Sequence, residues 1–147
     1  MRWASTLLLA LLLAAGCREG GGSKPLTRDQ YAAKADAICA KYEQQLKVPK
    51  GISSMPELAA AIDKTSPVLA KALDEIRKLK PPADEQAAVD AWLAQIENLE
   101  GDLKEIRDKA KSNDMQGVLN ALSKGNQHNA KSRQLATQLG MKVCNED

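Results

Sequence analysis

Few residues in this chain could do covalent or ligand chemistry: Cys17, Cys39 and Cys144, the single histidine His128, and helix carboxylates such as Glu97, Glu100 and Glu105. Catalytic thiol pairs keep a resolving thiol close, as in C-x-x-C, and no two cysteines here have that spacing. His128, in Asn126-Gln127-His128-Asn129, stands outside any HExxH or Cys/His ligand pattern, so it reads as a helix-surface group and no metal is expected. Ser132 and Asp147 do not make a triad with His128 by being present, because a positioned base and oxyanion donors are also required. The carboxylates share one helix, where solvation accounts for them without the paired acids of a glycosidase. The sequence has no phosphate loop, dinucleotide fingerprint or G-x-S-x-G elbow. No catalytic residue and no cofactor is therefore assigned, and an enzyme ranks third among the readings of function.

Cys17 carries the clearest chemistry because of what precedes it. Met1-Arg2-Trp3 leads into an apolar run from Leu7 to Ala15, followed at once by Gly16. A positive start, a short apolar core and a small-residue exit are the parts of a secretory signal. The run is too short to span a bilayer comfortably, so export and cleavage are expected over permanent insertion. Ala14-Ala15-Gly16-Cys17 resembles the lipobox of bacterial lipoproteins, with Ala14 where Leu is more usual. The resemblance implies that residues 1–16 are a signal peptide cut before Cys17, whose thiol then receives diacylglyceryl and whose new amino group can receive a further acyl chain. Two or more chains would hold durably to a membrane where one alone is marginal. Residues 17–26, rich in glycine, then form the anchor and a flexible tether, with residues 27–147 as one domain outside the cytoplasm.

If Cys17 is acylated, Cys39 and Cys144 are an even pair in a disulfide-permissive compartment and form the natural bridge. It would join the first helix to the chain end; free buried thiols and an intermolecular bridge are the alternatives. A staple suits the composition. Phe is absent and aromatics make up 3% of the chain, so the core must rest on Leu, Ile, Val and Ala. The net charge of +2 comes from interspersed Lys, Arg, Asp and Glu, which gives no reason to expect nucleic acid.

The elements that position these groups are all helical. Thr27-Arg28-Asp29-Gln30 has the form of a capping box, and Tyr31, Ala35, Ile38, Tyr42 and Leu46 recur at helical spacing, predicting a helix over 28–47. Ser54 caps a second start with Pro56 in its first turn, and Ser66-Pro67 suggests a break, giving a short helix and a longer one or a single kinked element. After Pro81-Pro82, the stripe Val89, Trp92, Ile96, Leu99, Leu103, Ile106 and Ala110 marks the clearest helix. Burial in its own bundle is the simpler reading of that stripe, and a coiled-coil partner surface is the other. Asn113-Asp114 opens a shorter helix with Val118, Leu119 and Leu122, a turn falls at Lys124-Gly125-Asn126, and Ala130, Leu135 and Leu139 continue beyond it. The expected fold is all-α, an irregular four- to five-helix bundle in a single domain. Tyr31, Tyr42 and Trp92 either fill its core or line a small-ligand pocket.

The stretch Tyr31 to Ala40, with Leu79-Lys80-Pro81-Pro82-Ala83 and Gly140-Met141-Lys142-Val143-Cys144, resembles a layout seen in small uncharacterised bacterial envelope proteins. That resemblance implies a disulfide-tied helical domain in which Cys39 and Cys144 are the paired cysteines, and it brings no activity. The leading expectation is an extracytoplasmic structural or protein-interaction module of the bacterial envelope. Its partners would be membrane lipid through Cys17 and another envelope protein. A small-molecule binding or sensory accessory domain is the alternative.

Overall fold

A computed structural model describes residues 24–47 and 49–146; the expected signal peptide, Cys17, most of the expected tether, Val48 and Asp147 lie outside the described residues. Four helices follow in order: α1 (Arg28–Leu46), α2 (Met55–Arg77), α3 (Gln86–Lys111) and α4 (Met115–Gln138). Among the described residues there is no strand, and the architecture is an all-α, four-helix, single-domain bundle.

The helix starts follow from side chains that satisfy orphan backbone donors. At α1 the Gln30 amide donates to Thr27 Oγ1 at 3.3 Å, and the Thr27 amide donates to Gln30 Oε1 at 3.1 Å, completing the capping box. Ser54 accepts from the Glu57 amide at 3.4 Å, and Asp114 accepts from the Gly117 amide at 2.8 Å. Two ends need a left-handed residue. Asn113 takes φ 56° after α3 and Gly140 takes φ 81° after α4, turning the chain so that the Asp114 and Met141 amides close onto Lys109 O and Ala136 O.

Two expected breaks are not breaks. Pro67 lies inside α2, which runs on as one helix. Burial of Ala59 and Ile62 before the proline and of Leu73 and Ile76 after it holds a single axis, and the Thr65 hydroxyl donates to Ala61 O at 3.1 Å nearby. That packing outweighs the roughly 3 kcal/mol an interior proline costs a helix. Gly125 likewise sits within an unbroken α4, facing Asp102 of α3.

The core has two parts. In the first, Tyr31 and Ala35 of α1, Ile76 of α2, Trp92 of α3 and Leu135 of α4 meet, with Leu139 just beyond, so all four helices contribute. In the second, Ala59 and Ile62 of α2, Ile106 and Ala110 of α3, and Val118 and Ala121 of α4 meet, and α1 contributes nothing. The bundle is therefore four helices thick at one end and three at the other. Leu26 packs on the first cluster, and its amide donates to Lys80 O at 2.9 Å, which places the start of the domain at the four-helix end. Of the α3 stripe, Val89, Trp92, Ile106 and Ala110 are buried in this interior, and Ile96, Leu99 and Leu103 are half-buried.

Candidate functional site

Cys39 and Cys144 form an intramolecular disulfide between α1 and the chain end, with Cα atoms 5.4 Å apart. The bond does not act alone. Asp36, one helical turn before Cys39, accepts from the Lys142 amide at 2.8 Å, Val143 at 2.9 Å and Cys144 at 3.0 Å. Three consecutive backbone donors converge on this carboxylate, an arrangement suited to an anion and here occupied by the chain's own side chain. Arg28 adds to the clasp, pairing with Glu85 at 3.2 Å and donating to Gln138 O. Sequence reasoning found the cysteines and missed Asp36; its one-turn offset from Cys39 was the available signal.

Tyr31, Tyr42 and Trp92 are core residues, exposed by 2%, 3% and 1%. Each reaches its polar end differently. The Tyr42 hydroxyl donates to Glu75 Oε1 at 2.6 Å, and Lys41 Nζ binds the same carboxylate at 2.8 Å. Those two donors, Lys41 foremost, hold the Glu75 carboxyl below its usual range. The Tyr31 hydroxyl and the Trp92 indole N–H are buried with no protein partner. Burial first, and the charge of Asp90 second, push the Tyr31 hydroxyl up to about 12.

His128 is not the isolated surface group its sequence context suggests. Its Nδ1 lies 2.6 Å from Oδ2 of Asp102 on α3, whose side chain is only 9% exposed. Asp102 falls within the apolar stripe of α3, three residues after Leu99 and four before Ile106, and that position is the signal a sequence reading could have used. A carboxylate that fixes one imidazole nitrogen is one component of a hydrolytic triad, but the nucleophile and the oxyanion donors are further requirements. Ser132, one turn along α4, is buried. Glu97 is bound to Arg77 and Glu105 to Lys124, while Glu100 lines a shallow hollow with Ser66, Lys104 and Arg107. Asp102 and His128 therefore join α3 to α4. Among the described residues no group of three or more His, Cys, Asp and Glu side chains is placed to hold a metal ion.

Two surface features remain. A groove of about 520 Å³ is lined by Cys39, Leu46, Val143 and Cys144, with Glu43, Lys47 and Lys50 among its charged residues. Tyr31, Tyr42 and Trp92 do not line it. At the other end of the bundle, Met115, Leu119 and Leu122 on α4 are 58%, 51% and 40% exposed. Their spacing of four and three residues sets them on one face, while Val118 and Ala121 between them point into the three-helix core. The face of α4 turned to α3 is a different one, carrying Val118, Ala121, Lys124, Gly125 and His128.

The fold and its surfaces define a small disulfide-stapled helical bundle with an apolar stripe at one end. Comparison with models of protein families, with curated proteins and with solved structures finds no match to this chain.

Proposed function

We propose that this chain is a lipid-tethered, extracytoplasmic protein-interaction module of a bacterial envelope. The observation that carries the interaction is the exposed stripe Met115, Leu119 and Leu122. Exposed apolar side chains are ordinary when scattered, but three aligned on one face of one helix make a contiguous patch of the kind partners cover. The tether rests on the lipobox-like Ala14-Ala15-Gly16-Cys17 and on the Cys39–Cys144 bond, which suits an oxidising compartment. Leu26, where the tether meets the domain, packs at the end of the bundle opposite the stripe. An anchor at Cys17 would therefore enter the domain at the end opposite the stripe.

Membrane fractionation with intact-mass measurement tests the address: the native chain should carry a diacylglyceryl adduct on Cys17, and Cys17→Ala should leave the membrane fraction. An unmodified chain in the cytoplasm overturns it. A photoreactive residue at position 119 of the full-length chain in its native membrane tests the interaction, and a discrete protein adduct is expected. The groove beside the disulfide supports a second reading, binding of a small, largely apolar molecule. Reproducible extra mass retained under native conditions would favour that reading.

A further inference from the structure

We propose that the partner of the α4 stripe is a second copy of this chain, paired in parallel about a two-fold axis that passes beside Leu119. This rests on the interaction reading above and names its partner.

The argument is one of charge. When two identical helix faces meet in parallel about a two-fold axis, each side chain near the axis meets its own copy, so any charge there confronts a like charge. A face that self-pairs must therefore be free of charge over its contact length. From Met115 to Ser123 α4 carries no charged residue at all. No equally long uncharged run occurs in α1, α2 or α3, where Asp, Glu, Lys and Arg recur every few positions. The first charge on α4, Lys124, is turned toward α3 and held by Glu105 at 3.0 Å.

The groups that border the stripe are also compatible with themselves. Gln116 and Asn120 carry both donors and acceptors, joined in one copy by a 3.1 Å hydrogen bond, and amides can pair with amides across an axis. A heterologous partner chosen by electrostatics would find no charge to read on this face, whereas an identical one needs none. The parallel sense places both Leu26 residues, where both tethers leave the domains, at one end of the pair, so that two anchors in one membrane need the shorter reach. The patch is short, so the pair is weak in dilute solution and gains from confinement to one surface.

The test uses the full-length chain in detergent, followed by sedimentation across a concentration series. Wild type should show a monomer–dimer equilibrium, and Leu119→Glu and Leu122→Glu should each weaken it about 30-fold or more, the loss expected of a central interface side chain. Both positions are exposed, so helicity and melting temperature should stay unchanged, separating lost pairing from lost folding. A wild type that stays monomeric at the highest concentration, or variants that pair as tightly as wild type, overturns the proposal. In the native membrane, a photoreactive residue at position 119 should give an adduct of twice the chain mass whose fragments join position 119 to residues 115–123 of the other copy. Attachment elsewhere on the second copy overturns the pairing. An adduct with a different protein overturns it too but leaves the interaction module standing, and no adduct at all defeats both.

Discussion

Breaking the Cys39–Cys144 bond should lower the melting temperature of the domain by about 19 °C without dissolving its helices. The bridge closes a loop with a sequence separation of 105. Loop-closure entropy for that length corresponds to about 4.8 kcal/mol of stabilisation at 25 °C through restriction of the unfolded chain. A domain of about 120 residues unfolds with an entropy of roughly 0.25 kcal/mol per degree, which converts the free energy into the stated shift. Residual structure in the unfolded chain makes this an upper figure. The clasp contains a second component, since Asp36 still holds the three amides of Lys142, Val143 and Cys144 after reduction. The reduced protein should therefore melt cooperatively from a native-like helical state. Thermal melts by circular dichroism, with and without reductant, for wild type and Cys39→Ala provide the assay. Cys39→Ala should melt with reduced wild type and ignore the reductant. Equal melting of oxidised and reduced wild type would refute the entropic account.

Gly101 lies inside α3 with nothing within 4 Å of where a Cβ would stand, so Gly101→Ala should stabilise by about 1 kcal/mol in chemical denaturation, and a loss would show hidden crowding. The Tyr31 hydroxyl is held at about 12 in the folded state against 10.0 for the free group, so the unfolded chain ionises first. Stability from this residue is complete below about pH 10 and falls by roughly 3 kcal/mol as pH rises to about 12. Tyr31→Phe should flatten that alkaline slope, which denaturant titrations at several pH values would detect, and an unchanged slope would assign it elsewhere. His128→Ala leaves the buried Asp102 without its imidazole partner and should cost about 1–3 kcal/mol. The further change Asp102→Ala should cost less in the His128→Ala background than alone, and strict additivity would show that the pair does not couple.

Local signals in this sequence were strong and tertiary ones weak. The Thr27–Gln30 capping box and the Ser54 cap are short-range chemistry, and both stand as read. The α3 stripe was legible because its three–four spacing persists over the whole helix, long enough to outweigh Gly101. Pro67 and Gly125 misled because a breaker acts on the isolated helix, whereas α2 and α4 are held by what they bury on both sides of it. Asp102 and His128 were missed as a pair because they lie on different helices, brought together by packing that no local pattern encodes. The apolar residues of α4 show the same limit: Val118, Leu119 and Leu122 read as one helical pattern, but only Val118 turns inward. Which way an apolar residue faces depends on where the neighbouring helix ends.

That dependence links the shape of the bundle to its surface. With no Phe and a core rich in Ala, each helix contributes modest apolar area, and α1 packs only on the four-helix end. The disulfide and the Asp36 carboxylate join α1 to the chain end there, and Arg28 joins it to Glu85 before α3 and to Gln138 at the end of α4. At the three-helix end Asp63 of α2 pairs with Lys111 at 2.8 Å and Arg107 at 3.6 Å on α3, and the core closes with small side chains, Ala59, Ala110 and Ala121, that let the helices approach. Closure by alanines leaves the larger Met115, Leu119 and Leu122 unused by the core, so changing them should alter association and leave folding intact. The division follows from the packing: the disulfide and the Asp36 carboxylate stabilise the end where Leu26 enters the domain, and the far end leaves three large apolar side chains at the surface.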